Sequence, residues 1–287
     1  MQTRQWRSFV ALGDSFTEGL DDPRDGGYAG WADRLAEQLA ILTTDFRYAN
    51  LAIRGKRLDD IVTEQVPVAA TMKPDLVAFV GGGNDVLRAR VTFSELHAKL
   101  AGGVKTLIDA GATVLVCTGT TFAQRLPLAK LVASRSDGMN EVIRAVAHEY
   151  GCILVDPWDG EEQGNQHYFS VDRLHLSAAG HQRVAGQALA ALGLSYDPQW
   201  LKPLPAADWP GWLAARRSDL AWARRHLAPW MGRRLAGRSS GDDVTAKRPE
   251  LAPVPMPAAP TWPSLPMLLT EPILLTEPEP LPEPASG

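Results

Sequence analysis

The first apolar run of the sequence leads directly into a polar turn: residues 9–19 read FVALGDSFTEG. Four further β-type runs occur before residue 194, and a helical pattern separates each run from the next. Strands that alternate with helices predict a parallel sheet that is covered by helices on both faces. The five predicted strands are Phe9–Leu12, Phe46–Leu51, Leu76–Val80, Thr113–Cys117 and Ile153–Val155.

The order of these elements predicts one α/β domain over residues 1–194. Right-handed crossovers between parallel strands give a three-layer α/β/α, doubly wound arrangement. In such sheets the ligand lies beyond the carboxyl ends of the strands, so polar residues at those ends are the candidates for a functional site. The predicted helices are roughly 28–42, 58–72, 93–110, 137–150 and 177–191.

Composition excludes several classes of protein. The chain has 287 residues, of which 45% are hydrophobic and 22% are charged, as in globular proteins. It contains no apolar run long enough for an integral membrane segment and no signal-peptide pattern, so a cytoplasmic protein is expected. Acidic and basic residues balance before residue 251, which gives no charge signal for nucleic acid. Two cysteines cannot form a four-ligand zinc site, and no metal or organic cofactor is expected.

The chain changes character after residue 194. Residues 195–241 hold five of the nine Trp and are rich in Arg. Leu213, Leu220 and Leu227 recur every seven residues, which predicts an amphipathic helix that packs on the α/β domain. A lid or a partner surface is the alternative interpretation of this extension.

Residues 242–287 are expected to be a disordered, acidic, proline-rich tail, because such a composition buries too little apolar surface to fold. Pro257, Pro260, Pro263 and Pro266 are spaced by three, so in a polyproline II helix they would share one edge. Weak binding of a partner protein by this edge is therefore a possible function of the tail.

Four predicted strand ends supply groups suited to nucleophilic catalysis. A serine becomes a nucleophile when a histidine takes its proton, and a carboxylate orients and stabilises that histidine. Ser15 follows the first strand, and Asp172 and His175 lie three apart near the last one. Gly55 and Asn84 follow the second and third strands and can donate hydrogen bonds to a developing oxyanion.

The blocks GDSFTEG, NLAIRG, GGGND and DRLH together resemble the SGNH/GDSL hydrolase family of esterases and lipases. The resemblance spans about residues 8–191 and implies a flavodoxin-like, three-layer fold. It implies that Ser15 is the nucleophile, with His175 as the general base and Asp172 as the group that orients it. It further implies an oxyanion hole made by Ser15, Gly55 and Asn84.

The sequence therefore predicts a serine hydrolase that cleaves a small carboxylic ester through an acyl-enzyme on Ser15. The leaving group and acyl length stay open among simple esters, acetylated sugars, lysophospholipids and thioesters. Two other functions also stay open. One is a catalytically idle adaptor that acts through its proline-rich tail. The other is a membrane-surface lysophospholipase that docks by the Trp/Arg-rich segment 195–241.

Overall fold

A computed structural model describes most of the chain, and its central feature is a six-stranded sheet. The described residues are 5–24, 27–88, 91–119, 129–158, 165–205, 218–229, 232 and 238–254. The strands are β1 (Ser8–Leu12), β2 (Pro23–Arg24), β3 (Gly27–Tyr28), β4 (Arg47–Asn50), β5 (Leu76–Phe79), β6 (Thr113–Cys117), β7 (Ile153–Val155) and β8 (Arg248–Pro253). Strands β2 and β3 form a separate two-stranded hairpin.

Helices occupy the segments between the strands. The α-helices are α1 (Ser15–Glu18), α2 (Trp31–Leu42), α3 (Leu58–Asp60), α4 (Val66–Met72), α5 (Gly83–Val86), α6 (Phe93–Asp109), α7 (Ala129–Tyr150) and α8 (Ala178–Ala191). A π-helical stretch, Ile61–Gln65, joins α3 to α4, and a second covers Ala223–Leu227. Short 3₁₀ turns cover Gln166–Tyr168 and Pro198–Trp200.

Side-chain caps fix where two of the long helices begin. Thr92 precedes α6, and its hydroxyl accepts a hydrogen bond from the Glu95 N–H while the Glu95 carboxylate accepts one from the Thr92 N–H. Ser177 precedes α8 and accepts a hydrogen bond from the Gly180 N–H. Such caps satisfy backbone donors that have no partner inside the helix, so the sequence sets these boundaries locally.

The strand order across the sheet is β7-β6-β5-β1-β4-β8. All five predicted strands form and are parallel to one another. The chain runs from β1 to β4 on one side and then crosses to β5 on the other side of β1. The carboxyl ends of β1 and β5 therefore flank the point where the winding direction reverses, which is where open α/β sheets form a ligand crevice.

Alternate residues of each strand enter two separate cores. Phe9 and Ala11 of β1 pack in the core that includes α2 and α8. Val10 and Leu12 pack in the core that includes α6 and α7. Because successive strand side chains point to opposite faces, a sheet that is buried on both faces needs apolar residues at every position. The three-layer α/β/α prediction is confirmed.

The sixth strand corrects the expected five-stranded sheet and the expected disorder of the whole segment 242–287. Strand β8 pairs antiparallel with β4, with Ala252 opposite Tyr48 and Arg248 opposite Asn50. Without β8, β4 would be an edge strand with unpaired backbone groups, which favour the addition of another strand. Edge strands tolerate proline, so the proline content of this segment is compatible with β structure.

Lys247 fastens the start of β8 to the body of the protein. Its ammonium donates to the carbonyl oxygens of Glu18 and Tyr28, at 2.6 and 3.1 Å, and forms an ion pair with Asp33. We expect Lys247→Ala to lower the free energy of unfolding by about 1–3 kcal/mol, because two carbonyls and a carboxylate lose a charged donor. Urea unfolding of this variant and of the exposed-site control Lys202→Ala measures the effect; equal losses would contradict the assigned role.

The extension after residue 194 is described only in part. Residues 218–229 are helical, but Leu220 is 55% exposed, so the expectation that Leu220 packs on the body is wrong. The side of this helix that contacts the domain instead carries Trp222, which bonds to the Asp172 carbonyl. Leu213 and the tail residues 255–287, including Pro257–Pro266, lie outside the described residues, so the expectations for them stay predictions.

Within the described ranges, no helix combines the length and apolar character needed to cross a bilayer.

Candidate active site

The turn after β1 presents Ser15 at the start of α1. Asp14 caps this helix, and its carboxylate accepts the Phe16 N–H at 3.0 Å. The buried Gln65 amide holds Gly13 at two points, accepting from its N–H at 2.8 Å and donating to its carbonyl at 2.9 Å. Gly19 ends the helix with φ at 89° and packs so closely on Gly30 that a Cβ would lie 2.2 Å from the Gly30 nitrogen. The serine is therefore held in a short, tightly supported turn.

Ser15, His175 and Asp172 form one continuous hydrogen-bond chain. The Ser15 Oγ lies 3.0 Å from His175 Nε2, and His175 Nδ1 lies 2.5 Å from Asp172 Oδ2. The second carboxylate oxygen of Asp172 accepts the N–H groups of Leu174 and His175, each at 2.9 Å. With the proton on Nδ1, the imidazole donates to Asp172 and leaves Nε2 free to accept from the serine hydroxyl.

The two titratable partners in this chain shift each other's pKa in opposite directions. Burial alone would lower the pKa of His175, but the hydrogen bond and charge of Asp172 raise it above its ordinary value. Burial opposes ionisation of Asp172, yet the hydrogen bond from His175 and the positive charge of the imidazolium hold the pKa of the Asp172 carboxyl well below its usual range. The site thus combines an ionised carboxylate with an imidazole of increased basicity.

The two predicted oxyanion donors also lie in the wall of the same cavity. Gly55 has a left-handed φ of 77°, and Ser239 packs on it so closely that a Cβ would lie 2.4 Å from the Ser239 hydroxyl. The Asn84 amide nitrogen donates to Asp14 at 3.1 Å and to the Lys56 carbonyl at 2.9 Å. The structure therefore brings together all five residues that the sequence singled out for catalysis.

Other strand-end residues brace the loops. Arg54 donates to the buried Glu18 carboxylate through its backbone N–H, at 2.7 Å, and through its guanidinium. This contact ties the loop that carries Gly55 to the helix that carries Ser15. Asp85 accepts the Leu58 N–H at 2.9 Å and so ties the glycine-rich loop to α3.

Sequence analysis missed Asp21, whose carboxylate lies 3.9 Å from His175 Nδ1. The Ser170 hydroxyl lies 2.5 Å from Asp21 and 2.8 Å from Asp172, so it links the two carboxylates. Asp21, Asp172 and His175 are also the one group among the described residues whose ligand atoms are close enough for a metal ion. In the structure these atoms instead belong to the hydrogen-bond network around the histidine. Asp21 belongs to an acidic loop, but nothing in the sequence of this loop marks Asp21 as a partner of His175.

A cavity of about 620 Å³ opens above Ser15. One part of its wall is apolar and includes Val86, Leu87, Met139 and Ile143. Another part is largely polar and comes from the segment 238–244, which sequence analysis placed in the extension and the tail. The cavity therefore offers both apolar and polar surface to a substrate.

His181 lies in the cavity wall but is buried and structural. Its Nδ1 accepts the Trp31 N–H at 3.3 Å, and burial lowers its pKa from 6.5 to about 3. The unfolded chain therefore binds a proton below pH 6.5 that the folded protein excludes. The stability that neutral His181 contributes should be complete above pH 6.5 and be lost as the pH falls towards 3, by about 1.4 kcal/mol per unit.

The matched variant is His181→Asn, whose amide oxygen can still accept the Trp31 N–H. We expect its unfolding free energy to depend less on pH between 6.5 and 4 than that of the wild type. Chemical unfolding at a series of pH values measures this slope. Parallel curves for the two proteins would contradict the assignment.

Known proteins share this fold. Axe2, an acetylxylan esterase from Geobacillus stearothermophilus, superposes with a TM-score of 0.57 at 20% identity, over 70% of this chain and 99% of that one. TesA superposes with a TM-score of 0.54 at 26% identity, over 64% of this chain and 97% of that one. The uncharacterized protein YpmR of Bacillus subtilis is 35% identical over 92 residues, which span 30% of this chain and only about a third of that protein.

A family match covers the loops that carry the five residues predicted for catalysis. Residues 11–183 match the GDSL-like Lipase/Acylhydrolase family, which is more than half of the chain. The matched region begins just before Ser15 and includes Gly55, Asn84, Asp172 and His175. The resemblance drawn from the sequence blocks is thus confirmed, and the match supports a hydrolase that acts on esters. The chain belongs to the GDSL-like lipase and acylhydrolase family.

Proposed function

We propose that the protein is a serine hydrolase that cleaves carboxylic esters through an acyl-enzyme on Ser15. The observation that carries this proposal is the continuous hydrogen-bond chain from the Ser15 hydroxyl through His175 to Asp172, with distances of 3.0 and 2.5 Å. These three hydrogen-bonded residues lie at the crevice predicted by the sheet topology, and all three line the cavity. A serine that faces a cavity with a basic, oriented imidazole is suited to nucleophilic attack.

The reaction has two halves. In the first, His175 takes the Ser15 proton while the oxygen attacks the ester carbonyl, and the tetrahedral intermediate then collapses as the imidazolium protonates the leaving alcohol. In the second, His175 takes a proton from water, the hydroxide attacks the acyl-enzyme, and the proton returns to Ser15 as the carboxylic acid leaves. Asp172 stays ionised throughout and stabilises the imidazolium.

The negative charge on the carbonyl oxygen requires donors, and three groups are candidates for this role. The N–H groups of Ser15 and Gly55 have no backbone or side-chain acceptor within the described part of the chain. Asn84 can add its amide, although both amide protons point at Asp14 and the Lys56 carbonyl in the resting site. In this proposal the oxyanion shares one of these two protons.

Asn84→Ala tests this role. We expect kcat to fall about 10²–10³-fold with a smaller change in KM, because the donor acts on charge that develops in the transition state. Steady-state kinetics on one ester measures the split, and thermal unfolding checks that the loop stays folded. A variant with wild-type kcat would remove Asn84 from the oxyanion hole and leave only the two backbone donors.

The substrate proposal follows from the apolar and polar residues that line the cavity. Val86, Leu87 and Met139 favour an apolar acyl chain, and segment 238–244 offers polar groups to the alcohol part. We expect kcat/KM for p-nitrophenyl esters to rise from the acetyl to a medium-chain ester. A preference for the acetyl ester would instead favour an acetylated substrate, such as the acetylxylan in the description of Axe2. Absence of hydrolysis across the series, with no labelling of Ser15 by a fluorophosphonate, would refute the proposed function.

A further inference from the structure

The turn that carries Asp172 is held from outside by the helical segment 218–229, which lies beyond the family match to residues 11–183. The indole N–H of Trp222 donates to the Asp172 carbonyl at 2.8 Å. This contact joins the backbone of the carboxylate that orients His175 to a residue 50 positions later in the chain. Every other hydrogen bond of Asp172 within the described residues joins it to a member of its own turn, Ser170–His175.

Arg173, the next residue of the turn, makes a second set of contacts with the same helix. Its guanidinium lies 5.3 Å from the centre of the Trp222 ring, and it donates to the Asp219 carboxylate at 2.7 Å and to the Ser218 hydroxyl at 3.0 Å. The backbone of Arg173 is left-handed, with φ at 61°. This conformation is unfavourable for residues other than glycine, so the turn needs support from its surroundings.

We propose that Trp222 is a positioning residue of the active site: together with Arg173 it fixes the turn so that the Asp172 carboxylate stays on His175 during turnover. The inference rests on the proposed function.

The internal bonds of the turn explain why an outside support matters. The Ser170 N–H donates to the His175 carbonyl, and the Arg173 N–H donates to the Ser170 carbonyl. These bonds close the turn on itself but leave the Asp172 carbonyl pointing outward, where Trp222 meets it. Val171 at the tip is 84% exposed, so the tip of the turn projects into solvent rather than packing on the body. Loss of the Trp222 contact therefore removes the outside hydrogen bond that holds the Asp172 backbone in place.

A shift of the turn would act chiefly on the reaction, because it moves the Asp172 carboxylate relative to His175. The His175–Asp172 distance sets how well the imidazolium is stabilised in the transition state, and misplacement by about 1 Å can cost on the order of 100-fold. Trp222 itself is not among the residues that line the cavity. A positioning role thus predicts a fall in kcat that exceeds any change in KM.

Trp222→Phe is the direct test, because it removes the indole N–H and keeps an aromatic ring beneath Arg173. We expect kcat to fall about 10- to 100-fold with KM and melting temperature close to wild type. Leu220→Ala is the matched control, since Leu220 lies on the same helix with its side chain 55% exposed. Wild-type kcat in Trp222→Phe would overturn the inference.

The pH profile distinguishes a displaced Asp172 carboxylate from a general loss of structure around the active site. The groups that face His175 are Asp172, Asp21 and Asp14, with His181 in the same cavity. A displaced Asp172 raises the pKa of His175 less, so the rising limb of kcat/KM should move to lower pH in Trp222→Phe. A limb that stays at the wild-type position would overturn the inference.

A second variant decides the case in which Trp222→Phe does not fold. Asp219→Asn removes the ion pair with Arg173 and leaves the indole in place. A lower kcat in this folded variant supports the inference, and wild-type kcat overturns it. Fluorophosphonate labelling of Ser15 in the wild-type protein is the reference: if the wild type is not labelled, the proposed function fails, whereas normal labelling assigns any failure to the Trp222 inference alone.

Discussion

Replacement of Ser15 by alanine should reduce kcat for ester hydrolysis by at least about 10⁴-fold and leave the protein folded. The variant loses the only oxygen that approaches His175 Nε2 within hydrogen-bond distance among the described residues. Stability should change little, because the removed hydroxyl is only partly buried and Asp14 still caps the helix. Hydrolysis of a p-nitrophenyl ester measures the loss, and thermal unfolding checks the fold.

Ser94→Ala is the control for this experiment, since Ser94 is exposed on α6. It should keep wild-type kcat and show that the loss in Ser15→Ala is specific. Activity near wild type in purified Ser15→Ala would refute the assignment of Ser15 as the nucleophile.

Replacement of His175 by alanine should be comparably severe. Without the imidazole no described group accepts the Ser15 proton, so acylation and hydrolysis of the acyl-enzyme both lose their base. His167→Ala is the control, because His167 is exposed. Activity of His175→Ala near that of His167→Ala would assign the base to another residue.

The pH dependence of the wild-type enzyme tests the same residue without a mutation. The base works only when it is neutral, so kcat/KM should rise with pH through the ionisation of His175. Asp172 raises the pKa of this histidine above 6.5, so the midpoint should lie above that value. A midpoint well below 6.5 would contradict the proposed hydrogen bond between His175 and an ionised Asp172.

The parallel part of the fold is predictable from the sequence because each strand is a short apolar run bounded by a helix signal. Strand β8 was not predicted, since its prolines and its place after a polar segment are typical of disordered chains. What decides its structure is the unpaired edge of β4, nearly 200 residues earlier, with which Arg248 and Ala252 pair. Composition alone carries no information about that edge.

The same distinction applies to the site. Ser15, Asp172 and His175 follow strand ends and stand in recognisable blocks, so their proximity was predictable, while their catalytic roles stay proposals. Asp21 and Trp222 reach the site through single long-range contacts, with no periodicity or spacing that marks them. Contacts of this kind depend on how the finished fold places distant segments, and one sequence does not reveal them.

Covalent labelling identifies the nucleophile itself. The 287-residue protein is treated with a fluorophosphonate, digested and analysed by mass spectrometry, alongside Ser15→Ala. We expect a single adduct on the peptide that contains Ser15, and no adduct in Ser15→Ala. An adduct on another residue, or a wild-type protein that hydrolyses esters without labelling at Ser15, would contradict the assignment of Ser15 as the nucleophile.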